Sequence, residues 1–364
     1  MKICIIELVN NGGMVHYASQ LCNSLSRYST DNKVFLIAPN GINDSLFDSR
    51  VVFKKIPSMG RHGYRIDLIW KYIFEIKPDI THITVIHPFI VPLLRKLKKH
   101  SVLVSTIHDV TLHSDQKNII LNLISSLISK SSDLVFVHGE KLKQELTTKG
   151  ILNSNIAVIP HGDYSFFGNI NHKKVPEEKN TILFFGRILK YKGIDYLIKA
   201  ESILSSKLSS FKIIIAGNGD FSQYNAMIKD FTHFEIINEY IPDEKVSELF
   251  QKASVIVLPY IEGSQSGVVP IAYSFKKPVV VTNVGCISDV VIDGVTGFVV
   301  QPKDTDGLAT AILKILLDNN LRAQMGVNAY EFMKGEMSWD GIAEKTILEY
   351  SRFISSSSRK WNEI

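Results

Sequence analysis

At 364 residues the chain is longer than one hydrophobic core usually supports, which predicts two domains of about 150–200 residues each. Hydrophobic residues at 45% and charged residues at 21% exclude a disordered or fibrous chain, and the one low-complexity tract is the serine run 355–358. Residues 1–170 carry 19 Lys and Arg against 13 Asp and Glu, leaving 22 against 23 for the remainder, so the basic excess sits wholly in the first half. That asymmetry points to an anionic partner, a membrane surface or a phosphorylated acceptor, and no motif speaks for nucleic acid.

Cys4, Cys22 and Cys286 are isolated, without CxxC spacing, which suits a reducing compartment and argues against a disulfide framework or a zinc ribbon. The start reaches Glu7 after four apolar positions, too few for a signal-peptide core. The longest apolar stretch, residues 83–94, is interrupted by His87, Pro88 and Pro92 and falls short of the roughly 20 residues that span a bilayer. A cytoplasmic protein without a transmembrane anchor is expected.

In chain order, β-branched runs at 3–6, 33–37, 80–85, 102–107, 134–137 and 157–159 alternate with helical patterns, as expected of βα repetition and a parallel sheet. The rhythm restarts at 181–185, 212–216, 234–237, 255–258, 279–282 and 298–300, with helical periodicity such as that of 194–204 between them. Two Rossmann-like domains are predicted, over 1–168 and 180–338, joined by a polar linker at 169–179. A helical segment over 339–364 is expected to cross back to the first domain.

Open α/β sheets bind ligands at the carboxyl ends of their strands, so the residues just after each strand matter most. Gly12 and Gly13 after the first strand let backbone amides approach an anion at a helix N-terminus, or make a plain tight turn. His108 and Asp109 follow the strand 102–107, with His113 beyond. His108 can donate to a sugar hydroxyl and Asp109 can accept from one or orient the ring, and zinc ligation would need further ligands that no nearby spacing supplies. His161 and Gly162 follow the strand 157–159, either at a ligand or simply in a loop.

In the second half, Gly186 and Arg187 follow the strand 181–185, while Lys192 and Gly193 open the next helix. Two cations five residues apart at a strand-to-helix turn make an anion clamp. Gly217 and Gly219 permit close approach of a base or ribose, or form a tight turn. Glu262 precedes Ser264, Gln265, Ser266 and Gly267 at a helix start, so a carboxylate can hold sugar hydroxyls while loop amides take phosphate oxygens. The alternative for Ser264 or Ser266 is a simple N-cap.

Taken together, the Gly12-Gly13 loop, Gly186-Arg187 with Lys192-Gly193, the Glu262 loop, residues 278–285 and residues 293–297 resemble the family 4 glycosyltransferases over nearly the whole chain. The resemblance implies a GT-B fold with parallel sheets facing a central cleft, an acceptor-side first domain and a nucleotide-sugar-binding second one. It also implies a retaining, metal-independent hexosyl transfer in which the nucleotide sugar is a substrate and no cofactor takes part. Arg187 and Lys192 match the residues that neutralise the donor diphosphate, His108 the histidine near the reacting sugar, and Gly12-Gly13 the loop over the phosphates. Pro270 stands where the family commonly has a second glutamate, a ribose ligand, so the nucleotide preference is open.

The Ser-Gln-Ser-Gly loop resembles that of enzymes building bacterial surface polysaccharides, lipopolysaccharide O-antigen among them. That implies a polyprenyl-diphosphate-linked acceptor and peripheral contact with the inner face of the membrane, for which residues 89–99 and 61–77 combine apolar and cationic side chains. Packing of either segment on its own sheet is the other reading. Two other functions fit the same fold: epimerisation of a nucleotide sugar, and sugar-nucleotide binding without catalysis.

Overall fold

Strand β1 (Lys2–Ile6) buries every side chain after Lys2, a pattern that requires cover on both faces and so belongs inside a parallel sheet. In a computed structural model of the chain, which describes residues 1–59, 63–110, 119–170 and 174–355, such strands form two sheets in two units. Arg61, His113, Asn171, His172, Lys173 and all but the first residue of the serine run lie outside the described residues.

In the first unit β1 is joined by β2 (Lys33–Pro39), β3 (Val52–Ile56), β6 (Ile80–Ile83), β7 (Val102–Thr106), β8 (Leu134–Val137) and β9 (Ile156–Val158). A small antiparallel pair, β4 (Ser58–Met59) and β5 (Gly63–Tyr64), interrupts the series. The order is β3-β2-β1-β6-β7-β8-β9, parallel throughout, so the direction of winding reverses between β1 and β6. β3 escapes sequence reasoning because it is an edge strand, Val-Phe-Lys-Lys-Ile, with one side chain fully buried and no continuous apolar run.

The second unit contains β10 (Thr181–Phe185), β11 (Lys212–Ala216), β12 (Phe234–Ile237), β13 (Val255–Leu258), β14 (Val279–Thr282) and β15 (Gly297–Val300). Their order, β12-β11-β10-β13-β14-β15, is again all parallel, with the reversal between β10 and β13.

Apart from the C-terminal stretch from Ser338, the first unit ends at Gly162, and the second covers Asp163–Met337 among the described residues, so the boundary lies before the expected 168. The reason is aromatic packing: Tyr164 and Phe167 are buried in the second core, and the short helix Phe167–Ile170 lies against the helix Asp243–Lys252. The expected linker is also tied down along its described part. The Val175 amide donates to Gln251 Oε1, and Glu177 receives Lys277 Nζ at 2.7 Å and Arg322 Nε at 3.1 Å.

The helix Trp339–Ser355 belongs to the first unit, packed on the helix Gly13–Tyr28. Tyr350 Oη lies 2.6 Å from His82 Nδ1, and the other ring nitrogen of His82 lies 2.8 Å from Thr106 Oγ1. All three cysteines are buried thiols, and no described helix is long and apolar enough to cross a membrane.

Candidate active site

In the second unit the loops after β10 and β13 flank the reversal of strand order, where open sheets of this kind leave a crevice beyond their carboxyl ends. Gly193 has φ +67°, and a Cβ there would lie 1.9 Å from the Pro259 carbonyl oxygen, so only glycine lets the two loops meet. The Ile261 amide donates to the Tyr191 carbonyl at 2.7 Å and fastens the lysine turn to the glutamate loop.

These backbone ties set the lysine against Tyr260. Lys192 Nζ sits 3.8 Å from the centre of the Tyr260 ring, a cation–π contact. Burial pushes the Tyr260 hydroxyl up to about 12, against the pull of its Ser266 hydrogen bond and of the Arg187 charge, which places Arg187 within electrostatic reach. Arg187 and Glu262 are exposed and Lys192 is half-buried.

Ser266 Oγ accepts from the Val268 amide at 3.3 Å, so this serine acts as a cap as well as a partner of Tyr260. Ser264 is buried and its carbonyl accepts from the Cys286 amide. Gln265 Oε1 is a buried acceptor with no hydrogen-bond partner in the protein, the kind of atom that a ligand N–H or O–H satisfies. A Cβ on Gly267 would come within 3.2 Å of the Tyr164 hydroxyl. Pro270 is buried in the first turn of the helix Val268–Ser274, where proline is tolerated, and it places no carboxylate there.

Gly217 and Gly219 have a role inside the protein. Their φ values are +150° and +159°, and Cβ atoms there would lie 2.0 Å from the Gly186 oxygen and 2.3 Å from the Ile188 oxygen. They hold the β11 loop flush against the segment that carries Arg187.

In the first unit Gly12, at φ +77°, caps the helix Gly13–Tyr28 without a side-chain hydrogen bond, and nothing lies within 4 Å of a Cβ on either glycine. A side chain at either position would therefore meet no other protein atom. His108, His138 and His161 follow the three adjacent strands β7, β8 and β9, so the sheet gathers residues that are 30 and 23 positions apart. Their ring nitrogens lie within 4.8 Å of one another. The spacing around His108 alone shows no such cluster; the fold supplies it, with a donor set able to hold a divalent metal such as zinc.

Tyr17, from the helix Gly13–Tyr28, sets its ring 4.8 Å from His108, 5.5 Å from His138 and 5.6 Å from both His161 and Trp339. Gly162 makes room for that tryptophan, since a Cβ there would lie 2.2 Å from the indole. Burial keeps all three histidines neutral. It pulls His138 down to about 4 and His161 to about 3, and it takes His108 well below the usual range with help from its two histidine neighbours.

For neutral rings, the hydrogen-bond partners give one consistent arrangement of protons. His138 Nδ1 lies 2.9 Å from the Ile159 carbonyl and must donate to it, so its Nε2 is bare. That nitrogen lies 2.9 Å from His108 Nδ1, which therefore donates. His108 Nε2 is buried with no partner within hydrogen-bond geometry, and the Thr84 carbonyl lies near enough to the ring to work against the fall of its pKa. The sequence reading has His108 donating to a sugar hydroxyl; with its proton on Nδ1, Nε2 would accept instead. Asp109 acts on this relay through its charge, which partly offsets the fall of the His138 pKa.

Glu7, Tyr17 and His138 escaped sequence reasoning. Glu7, just beyond β1, is fully buried; it accepts from the Val9 amide at 2.9 Å and from Thr84 Oγ1 at 2.8 Å. Burial outweighs these bonds and pushes its carboxyl up to about 7. His138 carried a usable signal, because it follows its strand just as His108 does.

Two family descriptions match the chain in succession, Glycosyltransferase Family 4 over residues 11–162 and Glycosyl transferases group 1 over residues 168–332. An uncharacterised glycosyltransferase of Methanocaldococcus jannaschii, MJ1607, is 28% identical over 259 residues, covering 66% of this chain and 65% of that protein. The capsular polysaccharide biosynthesis glycosyltransferase CapM of Staphylococcus aureus is 25% identical, covering 67% of this chain and 68% of that one. The chain thus spans about two thirds of the length of these relatives. Among solved structures, Anabaena Alr3699/HepE in complex with UDP-glucose superposes with a TM-score of 0.76 at 15% identity, over 98% of this chain and 100% of that one. With matching family descriptions on both halves and this fold in common, the chain belongs to the family 4 glycosyltransferases of GT-B fold.

Proposed function

We propose that the protein transfers a sugar from a nucleoside-diphosphate donor to an acceptor hydroxyl, with retention and without a metal or cofactor. The observation that carries this reading is Lys192 on the ring of Tyr260, with Arg187 near enough for its charge to act on the same tyrosine, beside the reversal of strand order in the second sheet. A departing diphosphate gains charge, and cations fixed in advance lower the energy of that state more than of the bound donor. Glu262 and Gln265 offer acceptors for sugar or base groups, and the open helix start at Gly12-Gly13 suits a phosphate. HepE, a protein of this fold, is named with UDP-glucose bound, which supports a nucleotide sugar as donor here.

The acceptor in this reading is a polyprenyl-diphosphate-linked saccharide in surface-polysaccharide or lipopolysaccharide assembly, met at the cytoplasmic face of the membrane. The capsular-polysaccharide role in the name of CapM and the basic excess of residues 1–170 support it.

A thermal-shift screen of UDP-, GDP- and other nucleotide sugars tests the donor site. A ligand at 100 times its Kd adds about 2.7 kcal/mol of stability. One class of donor should raise the melting temperature of the wild type, and Arg187→Ala and Lys192→Ala should lose that rise while melting normally without ligand. If no nucleotide sugar shifts the wild type, or both variants respond as it does, the reading fails.

A further inference from the structure

The three histidines at the end of the first sheet are held in a way that packing alone does not require. His138 turns its Nδ1 to the Ile159 carbonyl at 2.9 Å and His161 its Nδ1 to the Gly162 carbonyl at 3.4 Å, which in a neutral ring leaves Nε2 as the lone pair. A backbone carbonyl on the outer nitrogen is how metal-ligating histidines are oriented, since that bond fixes both tautomer and ring direction. His108 lies between two such partners. Thr84 follows β6 and His138 follows β8, the two neighbours of β7, and the Thr84 carbonyl acts on the His108 ring from near by.

Bonds of about 2.0–2.1 Å from zinc to imidazole put tetrahedral nitrogens about 3.4 Å apart. His108 Nδ1 and His138 Nε2 are 2.9 Å apart, and one nitrogen from each of the three rings falls within 4.8 Å of the others. The close pair therefore opens by about half an ångström on binding, and no gap has to shrink by more than about 1.4 Å. Histidine ligates as the neutral ring, the state in which burial holds all three. Tyr17, with Trp339 behind it, walls the cluster with aromatic surface, and the Asp109 charge that acts on His138 favours a cation there. His108 is the least covered of the three and gives an ion its way in.

We propose that His108 Nδ1, His138 Nε2 and one nitrogen of His161 form a site for a divalent transition-metal ion such as zinc, and that the ion is a switch on His108 rather than a participant in transfer. The protons balance within the His108 ring. The ion takes the lone pair of Nδ1, the proton that Nδ1 had shared with His138 passes to Nε2, and the Thr84 carbonyl is the acceptor beside it. Each ligand then has its outer N–H on a backbone carbonyl, and no proton is gained or lost. Nε2, an acceptor without the ion, becomes a donor committed to Thr84, so a sugar hydroxyl that relied on it loses its partner. Only that consequence rests on the proposed function. Binding of the ion needs neither donor nor acceptor, so the two can fail separately.

The full chain, freed of metal with a chelator, would be titrated with cobalt(II) chloride and then with zinc chloride. The wild type should bind one ion per chain, cobalt giving the visible bands of a four-coordinate site and zinc bleaching them. His138→Phe and His161→Phe should each weaken binding by at least about tenfold. A second measurement uses the wild type alone and stands whether or not those variants fold. In nitrogen-15 spectra of labelled imidazoles, zinc should move the His108 proton from Nδ1 to Nε2. The absence of cobalt bands, binding that survives in both variants, or a His108 proton that stays on Nδ1 with zinc bound would each overturn the proposal.

Discussion

In the second unit Arg187 and Glu262 stand exposed and Lys192 is half-buried, whereas in the first the rings of His138 and His161 and the carboxyl of Glu7 lie under cover. The difference follows from what each place can hold. A guanidinium or ammonium keeps its charge cheaply only where water reaches it, so the second sheet offers cations on glycine-tied loops at its rim. Groups buried at the end of the first sheet surrender their charge and offer lone pairs or a shared proton instead. In the proposed reading the second unit meets an anion and the first places neutral acceptors.

Acidification should break this comparison most strongly. His82 and His161, pulled to about 3, and His138, pulled to about 4, stay neutral in the native state while the unfolded chain takes up protons below about pH 6.5. The unfolded state then binds more protons, so stability falls as pH drops from about 6.5 towards 4. Three such groups amount to several kcal/mol at about 1.4 kcal/mol per pKa unit. Hydrogen exchange at pH 7 and pH 4.5 should show first-unit amides losing protection before those of the second unit, because the buried histidines named here all lie in the first. Simultaneous loss in both units would dissolve the contrast.

Arg187→Ala should lower kcat/KM by about 10² to 10³-fold, the usual cost of removing one group that stabilises developing negative charge. Its exposure means the melting temperature should hardly move. A comparable fall in stability would mark Arg187 as structural rather than as part of the site.

Glu7 should act in the opposite sense to the histidines. Its carboxyl, pushed up to about 7 against 4.5 in the unfolded chain, keeps a proton that the unfolded state has released between those values. Its contribution is therefore intact below about pH 4.5 and lost as pH rises through 7. Glu7→Gln should stabilise the protein by about 3 kcal/mol at pH 8 and hardly at all at pH 4.5. Chemical denaturation of both proteins at the two pH values checks this, and equal effects at both would show that proton uptake is not involved.

How much of this was legible in the sequence depends on how local the signal is. Both sheets were, apart from the edge strand β3, because parallel strands are continuous apolar runs, and the placing of Arg187, Lys192 and Glu262 in the loops after such runs could be read the same way. The histidine cluster was not, because strands β7, β8 and β9 unite residues that no spacing rule connects. Nor was the exposed apolar face of the helix Ile119–Ser131. Apolar periodicity assigns its leucines to the core, and only the fold reveals that Ser125 and Ser129 point inward in their place.

His138 is where the buried site can be tested most finely. His138→Phe keeps a ring of similar size but removes both the donor to the Ile159 carbonyl and the acceptor for His108 Nδ1. His108 is then free to move its proton to Nε2, turning the acceptor into a donor. Losses from disturbing such an orienting partner run from about tenfold to a hundredfold in metal sites, and a loss near the lower figure is expected here in kcat, with KM for the donor little changed. A purely structural role would lower the melting temperature and leave the tautomer alone. Nitrogen-15 spectra of labelled imidazoles separate the two: wild-type His108 should carry its proton on Nδ1, and the variant should show a mixture. A wild-type His108 protonated on Nε2 would break the relay at its first link.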